Sequence, residues 1–217
     1  MPTAIIYDTE TTGLPLWHEP SEDPRQPHIV QIAAALVDVE SGGLIAGIDL
    51  TVEPEGWTIP DDVVRVHGIT TERAQKYGVP EQTALLVFTD LWAAADMRVA
   101  HNESFDARII RIALKRHAPT DTHVHDAWSG GPAACTARMS TPVCALPPTE
   151  AMRRAGRHHH KTPNLAEAYR HFFGRDPEDQ HSAGGDVKSC MAIWFALRDL
   201  ARRRSESAND AEAPSAA

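Results

Sequence analysis

Three short stretches of the 217-residue chain bring acidic side chains together at a spacing that chemistry can use. The first is Asp8-Thr9-Glu10, which ends the apolar run Thr3 to Tyr7. In a strand, residues i and i+2 face the same way, so these two carboxylates project side by side and repel each other unless a cation lies between them. The second is the stretch His101 to Asp106, and the third runs from His181 to Asp186. Taken alone, each acid has an ordinary explanation as a solvated strand end or a first-turn helix acid. Together, Asp8, Glu10, Asp106 and Asp186 would build the oxygen-rich cage preferred by Mg2+ or Mn2+.

Such a cage needs elements whose ends converge. Thr3 to Asp8 reads as a first strand, and the runs Ile29–Val39 and Leu44–Pro54 read as a strand pair joined by a turn at Ser41-Gly42-Gly43. Helical spacing follows Pro80, and Met97–Asn102 reads as a short buried strand that delivers His101 and Asn102. From Asn102 to Ala118 the pattern is that of an amphipathic helix. Phe105, Ile109, Ile112 and Ala113 lie on one face, and Arg108, Arg111 and Lys115 on a face expected to be solvated. Residues 119–161 are rich in Pro, Gly, Thr and His and are expected to hold only short elements. A short helix ending at Gly174 and a long closing helix complete the body. Strands followed by interleaved helices and strands predict an α/β domain over residues 1–204, with a disordered tail over 205–217.

The three motifs, in order, resemble the DEDDh family of 3′→5′ exonucleases, which includes DnaQ-like proofreading subunits and ribonuclease T. The matching residues are Tyr7 to Pro15, His101 to Asp106 and the His-x-Ala-x-x-Asp pattern of His181 to Asp186, with Val66 to Thr70 matching an intervening loop. The resemblance spans about Ala4 to Leu200. It implies a ribonuclease H-like fold, a mixed five-stranded sheet flanked by helices, and two divalent ions about 3.5–4 Å apart gripping the scissile phosphate. By the same resemblance Asp8 bridges both ions, Glu10 and Asp186 hold the water-side ion, Asp106 supports the other, and His181 is the general base. An imidazole titrating near about 6.5 can take up a proton at neutral pH. Thr11, Thr12 and Gly13 would form a turn approaching the terminal nucleotide, with Leu14 wedged against its base. His67 and Phe105 would pack on terminal nucleotides, and Asn102 would hydrogen-bond near them. Gly184-Gly185, where the family carries bulkier residues, is expected to loosen the loop bearing His181.

The bulk properties fit this reading without forcing it. Hydrophobic residues make up 42% and charged residues 24%, as in ordinary globular domains. No apolar run is long enough to span a membrane, and the N-terminus has no signal-peptide layout, so a cytoplasmic protein with no membrane partner is expected. The three cysteines show no Cys-x-x-Cys spacing and are expected to be idle thiols. Net charge is −9, yet residues 98–175 hold 12 Lys or Arg against 6 Asp or Glu. That block is compatible with a local phosphate-facing surface. The basic stretch Arg153 to Lys161 contributes to it; its three adjacent histidines lack the spacing of a metal site. Expected partners are free 3′ ends of single-stranded nucleic acid, DNA ahead of RNA. A monomer, a homodimer and association with a polymerase all remain open, as do RNA trimming and a non-catalytic binding role.

Overall fold

The computed structural model describes residues 1–212, with side-chain surroundings through Ser207. The sheet has the order β4-β3-β2-β1-β5-β6. Its strands are β1 (Thr3–Thr11), β2 (Ile29–Asp38), β3 (Leu44–Glu53), β4 (Val79–Pro80), β5 (Met97–Ala100) and β6 (Ala133–Cys135). β1–β2 and β2–β3 are antiparallel, whereas β1–β5, β3–β4 and β5–β6 are parallel. The sheet is mixed, as expected, but it has six strands rather than five. The count rises because the two-residue β4 and three-residue β6 pair at the edges, where no periodicity of so short a run is visible in sequence.

Helices cover both faces. On one side α3 (Glu81–Ala93), α4 (Glu103–His117) and α5 (Thr122–Gly130) enclose Ile5, Tyr7, Ile32, Phe88, Ile109 and Trp128. On the other, α9 (Ala183–Glu212) lays Val187, Cys190 and Trp194 against Ala4, Ile6, Ala33 and Val37. The alternation along β1 therefore decides everything downstream. Odd-numbered residues face α3 and α4; even-numbered residues, hence Asp8 and Glu10, face α9. β2 is buried along its whole length, because both of its faces are covered.

Residues 119–161 are more structured than expected. They hold α5, β6, α6 (Thr136–Cys144) and α7 (Glu150–Arg154). α5 is fixed by Trp128, fully buried, whose indole N–H donates to the Ala107 carbonyl at 3.0 Å. Beyond the body, α9 continues to Glu212, past the boundary expected at 204; the remainder of the expected disordered tail, residues 213–217, lies outside the described residues. The remaining helices are α1 (Asp61–His67), α2 (Thr71–Tyr77) and α8 (Leu165–Phe173).

One buried carboxylate ties the helical layer to the first motif. Glu81, the first residue of α3, accepts the Ile29 backbone N–H at 2.9 Å and contacts Arg116 Nη1 at 3.1 Å, His117 Nε2 at 2.9 Å and His28 Nδ1 at 3.1 Å. Burial pushes its pKa up, but the His117 and His28 hydrogen bonds and the Arg116 charge outweigh that and hold it well below the usual carboxylate range. His28 in turn exchanges bonds with Thr12: its N–H donates to Thr12 Oγ1 and its carbonyl accepts the Thr12 N–H, both at 3.0 Å. The turn after β1 is thereby pinned to α3 and to the end of α4. Glu81→Ala leaves the half-buried Arg116 guanidinium and the buried Ile29 N–H without their acceptor, and should destabilise the fold by about 2–4 kcal/mol, read as a lowered midpoint in urea unfolding with an unchanged slope.

Candidate active site

β1 and β5 run side by side only as far as Ile6 and Val99, after which β1 continues alone on that side. β1 has an antiparallel neighbour on one side and a parallel one on the other, and such a change of connectivity opens a crevice at the strand ends. Asp8 and Glu10 lie in it. Facing them from the first turn of α9 is Asp186, and Asp8, Glu10 and Asp186 each offer a carboxylate oxygen within 4.8 Å of the others'.

Asp106 completes the group from the opposite face. Buried in the first turn of α4, it accepts the Thr9 backbone N–H at 3.0 Å and the Thr9 hydroxyl at 2.8 Å through Oδ1. That backbone N–H lies where β1 has outrun β5, and Asp106 takes the place of a strand partner. Thr9 is thus a site residue that sequence reading missed: the residue between two acids registers as filler until the register of β5 is known.

Buried like charges leave a clear electrostatic signature. Burial, with Asp106, Asp186 and Glu10 nearby, raises Asp8 well above the ordinary range. Glu10 is raised to about 8 by burial and then by Asp186 and Asp106. Burial lifts Asp106 to about 7 against the Thr9 hydrogen bonds, and lifts Asp186 to about 6 against the nearby His181. A divalent cation is the counter-charge such a donor set fits, with all-oxygen ligands and carboxylates held in mutual repulsion.

Positioning of Asp186 falls to a residue also absent from the sequence reading. Gln31, level with Glu10 across β2, accepts the Ala183 N–H at 3.1 Å and donates to Asp49 Oδ1 at 2.6 Å. Asp49 lies so close to α9 that a Cβ on Gly184 would stand 2.2 Å from its Oδ2. A Cβ on Gly185 would stand 2.2 Å from the Asp179 carbonyl oxygen. The two glycines therefore act opposite to the loosening expected of them: they permit close approach, and the turn bearing Asp179 (φ 53°) and His181 (φ 62°) packs onto the helix start. His181 itself is exposed at the rim.

The flanking residues divide. Thr11 Oγ1 donates to the Gly13 carbonyl at 2.8 Å and Thr12 is committed to His28, so this turn is closed on itself, and Leu14 stands out from it at 76% exposure. Asn102 is exposed, in the left-handed conformation (φ 64°) at the start of α4, whereas Phe105 packs partly into the core. His67, at the end of α1, is buried. Its Nδ1 accepts the Ile69 N–H at 3.1 Å, burial lowers its pKa, and Nε2 is buried with no partner. The face of α4 expected to be solvated is partly occupied: Arg108 donates to the Glu19 carbonyl at 2.5 Å and Lys115 pairs with Glu22 at 3.3 Å, so both hold the long connector after β1.

Residues 5–194 match the RNase T exonuclease family, and the chain belongs to that family. It is a DnaQ-like member of the DEDDh superfamily. Over 196 residues it is 30% identical to a Mycobacterium tuberculosis protein named as a bifunctional exonuclease/endonuclease, covering 90% of this chain and 26% of that one. A Bacillus subtilis DNA polymerase III of PolC type is 27% identical over 114 residues, 52% of this chain and 7% of the polymerase. Among solved structures, Escherichia coli exonuclease I with a dT13 oligonucleotide superposes with a TM-score of 0.72 at 18% identity, covering 95% of this chain and 43% of that one. Exonuclease I of Methylocaldum szegediense gives 0.69 at 20%, covering 92% and 41%. At these identities the likeness to solved structures establishes the fold, and the chain spans only part of each relative.

Two outcomes follow from the geometry. In metal-free protein the raised carboxylates keep protons that the unfolded chain releases near its ordinary range, so the native state binds more protons and stability falls as pH rises from about 4 to about 8. The melting temperature without metal should therefore decline over that window, Mn2+ should raise it more at pH 8 than at pH 6, and Glu10→Gln should raise the metal-free value at pH 8 by a few degrees, about 2–4 °C per kcal/mol. A metal-free melting temperature independent of pH would contradict this. Separately, Gly185→Ala forces a methyl into backbone and should lower the melting temperature more than Gly184→Ala, which meets the movable end of Asp49.

Proposed function

We propose that the protein is a metal-dependent 3′→5′ exonuclease that releases nucleoside 5′-monophosphates from single-stranded or frayed DNA. The single observation that carries the proposal is the convergence of Asp8, Glu10 and Asp186 above a buried Asp106. In this reading Asp8, Glu10, Asp106 and Asp186 hold two ions, Mg2+ or Mn2+. Bound there, such a pair supplies charge to neutralise the phosphodiester and orient the attacking water.

The chain's own residues do the rest. His181, on the rim beside Asp186, receives the proton of the water attacking phosphorus. It is exposed, and a carboxylate engaged with cations would serve less well. The bond between phosphorus and the 3′-oxygen then breaks, the released nucleotide keeps the phosphate with the water's oxygen, and the 3′-oxygen takes a proton from solvent to become the new 3′-hydroxyl of the shortened strand. Leu14, exposed beyond the closed Thr11–Gly13 turn, lies against the terminal base. His67, buried at the end of α1 with Nδ1 accepting the Ile69 N–H, backs the surface on which the terminal nucleotide packs. Asn102 supplies a polar edge and Phe105 an apolar one. None of these contacts reads a base edge, which fits removal of any nucleotide in turn. The names of relatives support DNA as substrate: the exonuclease I structures contain DNA oligonucleotides.

The test is a 5′-labelled oligonucleotide incubated with protein and Mg2+. Products should shorten stepwise from the 3′ side and vanish with EDTA or in Asp8→Ala. His181→Ala should lose about 10²–10⁴-fold in kcat while keeping the Mn2+-induced rise in melting temperature. Matched RNA and DNA strands in competition decide the sugar preference, and strand binding without turnover in Mn2+ would reduce the protein to a binding module.

A further inference from the structure

The basic stretch from the last turn of α7 into the connection before α8 belongs to no part of the site described so far. Arg153, Arg154, Arg157 and His158 to His160 are all exposed, and Lys161 is half-buried. The backbone carrying them is nonetheless fixed. The Arg157 N–H returns to the Met152 carbonyl at 2.9 Å around Gly156 (φ 69°), and the Lys161 N–H closes the base of the loop on the Leu146 carbonyl at 3.0 Å. The side chains are held only by contacts at the surface. Arg154 pairs with Glu150, Lys161 pairs with Glu167, Arg153 donates to the Pro148 carbonyl, and Arg157 has no ion-pair partner among the described residues. Exposed pairs of this kind contribute about 0–1 kcal/mol and yield readily to a stronger anion.

The loop is stitched to the core of the site through His101. β5 runs beside β1 as far as Ile6 and Val99, and His101 is the first residue after β5, on the connection that leads into α4 and Asp106. Its Nε2 lies 3.1 Å from the Pro163 carbonyl, which only accepts, so Nε2 carries the proton. Its Nδ1 then accepts from the Thr136 hydroxyl at 2.9 Å, and Thr136 Oγ1 lies 3.5 Å from Cys190 Sγ, one helical turn beyond Asp186. The exit of the basic loop is thus anchored both to the connection between β5 and α4 and to the helix that carries Asp186.

We infer that the Arg153–Lys161 loop is a phosphate-binding surface for the strand upstream of the nucleotide being removed, a role that rests on the exonuclease reading. A strand whose terminal phosphate lies among Asp8, Glu10 and Asp186 must run out past a neighbouring rim. This rim is fixed at its base by backbone hydrogen bonds, carries four cationic side chains against two acids, Glu150 and Glu167, and stands in a chain of net charge −9. Its contacts go to phosphates, so they add affinity without adding sequence preference.

The full-length protein tests this with a fluorescent single-stranded DNA of about 20 nucleotides, bound in EDTA over a range of NaCl. Replacing Arg153, Arg154 and Arg157 together by Gln should make the slope of log Kd against log salt shallower by about 0.7 for each phosphate that is no longer neutralised, about 2 if all three arginines engage. Hydrolysis of a dinucleotide in Mg2+ should be unchanged. A control with the same charge change on α9, Arg202, Arg203 and Arg204 to Gln, should keep the wild-type slope. An unchanged slope in the loop variant, or an equal change in the control, overturns the inference. If the wild-type protein hydrolyses no substrate, the exonuclease reading fails, while the slope comparison still decides whether the loop contacts phosphate.

Discussion

The crowding of four carboxylates into one crevice, Asp106 buried and the other three half-buried, is the constraint from which the rest of this molecule follows. Left to itself, a cluster of this kind would either take up protons or spread apart; burial raises each acid above its ordinary range, and the neighbouring carboxylates add to that for Asp8 and Glu10. The fold resists the second outcome by attaching each acid to a different rigid element. Asp8 and Glu10 belong to a central strand, Asp106 is held by two hydrogen bonds from Thr9, and Asp186 sits in a helix start fastened through Ala183 to Gln31. Holding the carboxylates together is costly when no counter-charge lies among them.

The scaffold around the cluster uses buried polar groups in the same way. Arg98 on β5 pairs with Glu103 at 2.8 Å, donates to the Trp128 carbonyl at 2.7 Å and lies over the Trp128 ring. Tyr7 reaches Glu103 at 3.5 Å. Glu103 is three residues before Asp106 on α4, so this network fixes the start of the helix that presents Asp106. Glu81 performs the equivalent service for the turn after β1. Both acids are engaged by cationic partners, whereas Asp8, Glu10 and Asp186 face one another with no protein cation paired to them by a salt bridge among the described residues.

Much of this was legible in the sequence, because period and motif order are local signals. The i, i+2 spacing of Asp8 and Glu10, the helical face of Phe105, Ile109, Ile112 and Ala113, and the strand pair around Ser41–Gly43 all appear where the periodicity puts them. What escaped depends on contacts between distant residues. Thr9, Gln31 and Glu81 act through partners 97, 152 and 52 positions away, and nothing in their own neighbourhoods marks them. The glycine pair before Asp186 misled for a related reason. Glycine signals both freedom and close approach, and only the position of Asp49 and Asp179 against α9 distinguishes the two.

Charge distribution presents the remaining difficulty, since a protein of net charge −9 with an acidic centre should repel a polyanion. Two features of the fold reduce that conflict. The carboxylates are partly or fully buried in a crevice, so a divalent pair would neutralise them locally and leave little negative field at the mouth. The excess of acids lies in residues 1–97 and 176–217, whereas residues 98–175, which include β5, α4 and the loop anchored through His101, carry the basic excess. The sheet order puts β5 beside β1, so the basic segment borders the acidic crevice instead of lying across the molecule from it. A phosphate strand approaching from that side meets favourable charge first and the carboxylates last. Topology, more than overall charge, therefore sets the direction from which this site can be reached.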